Sequence, residues 1–233
     1  MHGKPLALSF DLDETLWPCE EVIARAERAV FAWLGRHFSR ITDEFTLEEM
    51  RAVRLGLAER HPDLGADFTA LRVASLRWHA ERAGYAPDLA EDALEIFLAE
   101  RNRVTPFEEV PEVLERLGAR FPLIALTNGN ADVDRTPLAG LFDLALSAAH
   151  VGAQKPDPAM FRAACGELGI PAEALVHVGD DPVRDIGAAR DFGSRAVWIN
   201  RAGIPWPEGL PAAHHELPSM HGLPALLRAG TAR

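Results

Sequence analysis

Five aspartates, one lysine and a Thr-Asn-Gly tripeptide are the residues whose types and spacing could do chemistry. They are Asp11 with Asp13, Thr127 with Asn128 and Gly129, Lys155, and Asp180 with Asp181 and Asp185. Carboxylates gathered at one place repel each other and take up protons unless a cation sits among them. Lys155 supplies one positive charge, and a hard divalent ion could supply the rest. Oxygen ligands with few competing imidazole or thiolate groups favour Mg²⁺, which takes one or two carboxylates together with phosphate oxygens and water. A phosphoryl substrate fits such a site. Gly129 lets main-chain N–H groups come close to an anion, which their dipoles favour.

These residues need elements to bring them together. Leu6 to Phe10 is a short apolar run of the kind expected for a strand covered on both faces, and it ends at Asp11. Leu123 to Leu126, Leu175 to Val178 and Ala196 to Ile199 read the same way, with a shorter candidate at Leu144 to Leu146. Helical patterns separate them: Glu112 to Leu117, Pro158 to Leu168 with Asp157 as N-cap, and Val183 to Phe192 closed by Gly193. Strands alternating with helices mean a doubly wound parallel α/β sheet, whose ligands bind beyond the carboxyl ends of the strands.

Between Leu16 and Thr105 the pattern holds no strand candidate, only four helical stretches: Glu20 to Phe38, one opened by a Thr46/Glu49 capping box and stopping before Pro62, Asp67 to Gly84, and Asp88 to Arg103. This predicts a catalytic core of residues 1–16 and 105–233, interrupted by an inserted helical domain of residues 17–104. The segment Gly203 to Pro211 reads as a loop before a short helix at Leu223 to Leu227.

At 233 residues, 48% of them hydrophobic and 25% charged, the chain can bury a sizeable core. Its net charge of -11 repels nucleic-acid backbones and anionic lipid headgroups, so neither is expected as a partner. The two cysteines, Cys19 and Cys165, lack zinc-site or disulfide-framework spacing and read as reduced. No apolar stretch approaches the roughly 20 residues that span a bilayer. The start meets charged residues too soon for a signal peptide. The expected location is the cytoplasm.

In order and spacing, DLDET (Asp11 to Thr15), TNG (Thr127 to Gly129), Lys155 before Pro156, and GDDPVRD (Gly179 to Asp185) resemble the four motifs of the haloacid dehalogenase superfamily. The helical insertion after the first motif is similar to that superfamily's first type of cap, expected to close over the site and choose the substrate. The resemblance implies that Asp11 is the nucleophile that forms an aspartyl-phosphate. It implies that Asp13 is the general acid and base, its backbone carbonyl also a Mg²⁺ ligand. Thr127 would hold a phosphoryl oxygen, with Asn128 and Gly129 beside it in the phosphate-binding loop. Lys155 would neutralise charge on nucleophile and phosphoryl group, Asp180 would join Asp11 on the metal, and Asp185 would position Asp180 or Lys155 from behind. Dehalogenases of the superfamily lack an acid two residues after the nucleophile, because a halide leaving group needs no proton. Asp13 therefore points to phosphate transfer.

Taken singly, each motif has a plainer reading: two aspartates after a strand make a turn, TNG is a common turn, Lys-Pro is a surface loop, and acids complement a helix start. Only their joint order carries the argument. Asp181 can be read as one such helix-start acid, and the sequence leaves its role open. His177, inside an expected strand, reads as a satisfied core residue, and Trp33, Phe38, Trp78 and Phe97 as packing within the helical insertion. Trp17 either packs structurally or lines the substrate cleft. The stretches TNGN, QKPDP with Phe161, HVGDD and WIN are similar to bacterial phosphatases acting on flavin mononucleotide and phosphorylated ribitylaminouracil, so a small phosphorylated metabolite is the expected partner. A phosphomutase of the same fold and a catalytically idle binding protein are the alternatives. The idle reading would show as a missing motif residue, and none is missing.

Overall fold

The computed structural model of the chain describes residues 7–61, 64 and 67–229. Leu6 and Pro62, which bound two of the expected elements, lie outside them. The chain divides into two units, one of Met1–Pro18, Thr105–Gly129 and Val133–Arg233, the other of Cys19–Val104 with Asn130–Asp132.

Among the described residues, the first unit is built on six strands: β1 (Ala7–Phe10), β2 (Leu123–Thr127), β3 (Leu144–Ser147), β4 (Leu175–Gly179), β5 (Arg195–Ile199) and β6 (His215–Leu217). They lie in the order β3-β2-β1-β4-β5-β6, and every adjacent pair is parallel. β1, β2 and β4 are buried at every position, which is why their sequences are apolar without alternation. The register sets Phe10 beside both Ala125 and Val178. Asp11, Thr127 and Asp180 consequently leave the sheet at one edge, where the strand order reverses about β1.

Helices α6 (Val110–Gly118), α7 (Ala148–Val151), α8 (Ala159–Leu168), α9 (Ala188–Phe192) and α10 (Leu223–Ala229) belong to this unit. α6 buries Val110, Val113, Leu114 and Leu117, the i, i+3, i+4, i+7 stripe of an amphipathic helix. α8 buries Met160, Phe161, Ala164 and Cys165 in a cluster with Ile124, Leu126, Ile186 and Trp198. Pro158, not the expected Asp157, is its N-cap; Asp157 stands one residue earlier and accepts from the Ala159 N–H at 2.8 Å.

The second unit consists of α1 (Glu20–His37), α2 (Ser39–Glu44), α3 (Leu47–Arg60), α4 (Phe68–Arg82) and α5 (Leu89–Arg101). Ala26, Val30 and Leu34 of α1 share a core with Leu76 and Ala80 of α4 and Ala93 and Phe97 of α5. The Thr46/Glu49 capping box is formed in both directions. Trp33 and Phe38 pack in this unit, with ring centroids 5.2 Å apart. Trp78 departs from expectation: it meets Phe45 and His79, yet it is 37% exposed. Glu27 of α1 is buried among three guanidinium groups, accepting from Arg51 and, at 2.5 Å, from Arg54, with Arg72 3.5 Å away.

Three further departures have local causes. The helix expected over Val183 to Phe192 begins as a π-helical turn, Pro182–Gly187, in which Ile186 N–H reaches the Asp181 carbonyl at 3.2 Å. β6 is only His215–Leu217, an edge strand without the apolar run that marks a buried one. α2, of six residues, and α7, of four, are too short to show a period. No helix among the described residues is long and apolar enough to cross a membrane.

Candidate active site

β1 ends by handing Asp11 to the edge of the sheet, where its N–H donates to the Val178 carbonyl at 2.9 Å. The Asp11 carboxylate receives Lys155 Nζ on Oδ1 at 2.7 Å, and the same ammonium donates to Asp185 Oδ1 at 2.6 Å. Lys155 is 2% exposed. Its loop is clamped to the end of β2, because Asn128 accepts the Lys155 N–H through Oδ1 at 2.7 Å and donates through Nδ2 to the Lys155 carbonyl at 2.8 Å.

Asp185 is held on both oxygens. His177 Nε2 lies 3.2 Å from Oδ1, and the Asp181 N–H donates to Oδ2 at 3.0 Å. Because Asp185 can only accept when ionised, Nε2 carries the imidazole proton, and Nδ1 accepts the Ser9 hydroxyl at 2.9 Å. Burial keeps the His177 imidazole below its ordinary pKa, and so neutral. Gly179 allows this closeness: a Cβ there would fall well inside 3.0 Å of the Asp185 carboxyl group. Asp180 Oδ1 accepts from the Thr15 hydroxyl at 2.9 Å, and its carbonyl accepts from Trp198 Nε1 at 2.7 Å.

Oxygens of Asp11, Asp180 and Asp185 all lie within 4.8 Å of one another. Three carboxylates face one ammonium, and the excess negative charge shows in their acidities. Burial drives Asp11 well above the usual carboxylate range, with Asp185 and Asp180 adding to it and Lys155 opposing. Burial, reinforced by Asp185, pushes Asp180 up to about 7. Burial also works against ionised Asp185, but Lys155 and the His177 hydrogen bond outweigh it and hold that carboxyl well below its ordinary value. Lys155 is raised, its burial outweighed by Asp11 and Asp185. The surplus of acid over base is the charge pattern of a cation site, and this buried cluster can hold a metal ion. Asp185 already engages both its oxygens, so Asp11 and Asp180 are the carboxylates with an oxygen to give.

Asp13 is not part of this triad of carboxylates. Its Oδ1 accepts from the indole N–H of Trp17 at 2.9 Å. Thr127 Oγ1 accepts from the Gly129 N–H at 2.9 Å, and a hydroxyl that accepts can still donate its own proton. The Asn128 side chain is occupied by Lys155, so any part it takes in binding an anion falls to its main-chain N–H. Asp181 is a helix-start acid, as its plainer reading has it, accepting from the N–H groups of Val183 and Arg184 at 2.8 Å each. The sequence does not single out Thr15, Ser9 or His177 as site residues, and it leaves Trp17 between structural packing and the substrate cleft. Thr15 could have been singled out, since it stands within the first motif; the others act through contacts that no local spacing encodes.

Residues 6–193 match the family model described as haloacid dehalogenase-like hydrolase. The chain is 31% identical over 201 residues to 5-amino-6-(5-phospho-D-ribitylamino)uracil phosphatase YigB of Escherichia coli strain K12, covering 84% of each protein. It is 30% identical over 204 residues to an (S)-2-haloacid dehalogenase of Pseudomonas sp. strain YL, covering 84% of this chain and 83% of that one. A solved structure named 2-haloacid dehalogenase, from Pseudomonas syringae pv. Tomato DC3000, superposes with a TM-score of 0.90 at 38% identity, covering 97% of this chain and 99% of that chain.

Proposed function

Because this chain belongs to the haloacid dehalogenase-like hydrolases, we propose that it hydrolyses small phosphate monoesters through an aspartyl-phosphate on Asp11. The observation that carries the reading is the convergence of Asp11, Asp180 and Asp185 within 4.8 Å, with Lys155 hydrogen-bonded to both Asp11 and Asp185. Lys155 holds the Asp11 carboxylate in place through Oδ1, and one carboxylate oxygen of Asp11 attacks phosphorus. The Thr127 hydroxyl donates to a phosphoryl oxygen, and Lys155 offsets charge as the new bond forms. Asp13 protonates the departing alkoxide and then takes a proton from the attacking water. Mg²⁺, held by Asp11, Asp180 and the Asp13 carbonyl, would neutralise charge on the phosphoryl group.

Relatives named for dehalogenation raise the rival chemistry. Asp13 favours the phosphatase, since a halide leaves without a proton and gives that acid nothing to do. The helical insertion, residues 17–104, is proposed as the cap domain that selects the substrate. The relative from Escherichia coli supports 5-amino-6-(5-phospho-D-ribitylamino)uracil as a first candidate, and the motif resemblance adds flavin mononucleotide. Two free cysteines agree with a cytoplasmic location.

The test is release of p-nitrophenol from p-nitrophenyl phosphate with Mg²⁺ present. Activity should disappear with a chelator and in Asp11→Asn, whose melting temperature should stay near that of the parent. Chloride release from 2-chloropropionate without phosphatase activity, or retention of most activity by Asp11→Asn, would overturn the proposal. A panel of phosphorylated metabolites then ranks the substrates by kcat/KM.

A further inference from the structure

Trp17 has no solvent exposure, and a buried indole N–H needs an acceptor. The acceptor it has is Oδ1 of Asp13, at 2.9 Å. The turn between them leaves little slack. Asp13 and Trp17 are bridged as a parallel β pair, the Glu14 N–H donates to the Trp17 carbonyl at 2.8 Å, and the Leu16 N–H donates to the Leu12 carbonyl at 2.8 Å. Glu14 takes the left-handed conformation, φ 61, that so tight a turn requires. Outside the turn, Phe107 N–H anchors the Leu16 carbonyl at 2.9 Å.

We propose that Trp17 is a positioning residue for the general acid and base: its indole N–H holds Oδ1 of Asp13 so that Oδ2 carries the working proton. The inference rests on the hydrolase reading. An indole N–H donates and cannot accept. It therefore serves Asp13 in both protonation states without drawing off the proton, as a tyrosine, serine or histidine in its place could. In the first step the Asp11 oxygen–phosphorus bond forms and the bond from phosphorus to the leaving oxygen breaks. The proton on Asp13 Oδ2 passes to that oxygen. In the second step water oxygen bonds to phosphorus, the aspartyl-phosphate bond breaks, and one water proton returns to Oδ2. Ester and water become alcohol and phosphate, and Asp13 ends protonated as it began. Loss of the indole removes the hydrogen bond that fixes Oδ1 against the broad terminal torsion of the aspartate.

A merely structural tryptophan predicts something different, because loss of packing would slow all substrates alike. A positioning role predicts a loss that grows with the leaving group's need for a proton. The experiment compares Trp17→Phe with the parent enzyme, with Mg²⁺ present, on p-nitrophenyl phosphate, phenyl phosphate and an alkyl phosphate. The expected fall in kcat/KM is on the order of 10- to 100-fold for the alkyl ester and less than about 3-fold for p-nitrophenyl phosphate. An equal loss across the series, or none, overturns the proposal. Asp13→Asn serves as reference and should show the same trend more steeply; if it shows no such trend, the acid role of Asp13 fails and the hydrolase reading with it. A second measurement does not depend on turnover or on the Trp17 variant folding. The indole ¹H–¹⁵N resonance of Trp17 should move upfield in Asp13→Ala, and an unmoved resonance overturns the hydrogen bond and the proposal together.

Discussion

Gly179 and Asp185 are in contact so close that no other residue type fits between them. The Gly179→Ala exchange pushes the Asp185 carboxylate away from Lys155, and through Lys155 loosens Asp11. We expect a fall in kcat/KM on the order of 100-fold, with a stability cost of about 1–3 kcal/mol for the overpacked position. Unchanged kcat/KM in the variant would mean that the Lys155–Asp185 bond at 2.6 Å contributes nothing to turnover. The sequence revealed Asp11, Lys155, Asp180 and Asp185 because a strand end followed by acids has few other readings once four such ends occur in order. It did not reveal His177, and it left Trp17 between packing and the substrate cleft. An imidazole inside an apolar strand and an indole in a turn look like packing until their ring nitrogens are seen to meet Asp185 and Asp13.

Within the helical unit, α1, α3 and α4 are joined by one carboxylate. Burial works against ionised Glu27, but Arg54 and Arg51 outweigh it and hold its pKa below the ordinary range. A carboxyl group depressed in the folded state adds stability above its unfolded pKa and loses it as pH falls through the folded value. Glu27→Gln strands three guanidinium groups around a neutral amide, and should lower unfolding free energy at pH 7 by on the order of 3 kcal/mol. Thr46→Ala, which removes one cap of α3, should cost about 1 kcal/mol. Chemical denaturation of both variants checks the ranking; an equal effect would mean that Glu27 is screened. The long helices were legible because their apolar residues recur on one face and their caps are named residues. The π-helical turn at Pro182–Gly187 was not, since its residue types are those of an ordinary helix start and the extra residue shows only in the hydrogen bonds. β6 escaped because an exposed edge strand shows no buried run.

For the molecule as a whole, Asp180 and Asp11 both bind protons more readily in the folded chain, and the Asp180 pKa stands at about 7 without a cation. The unfolded chain ionises such a group near 3.9. Between those two values the folded state binds more protons, so this group's contribution makes the cation-free protein less stable as pH rises from about 4 through 7. Mg²⁺ would replace the proton, and the rise in melting temperature caused by the ion should be small at pH 5 and large at pH 8. A rise independent of pH would remove Asp180 from the metal site. The parallel sheet was legible from the alternation of strands and helices, but its order was not, because nothing local says which strand becomes the inner one. That inner strand is β1, the earliest in sequence among the described strands, and its second neighbour is complete only at Gly179. A chain cut short after α8 would carry an apolar strand with one edge unclaimed. Premature termination there should therefore yield aggregates rather than a smaller working protein.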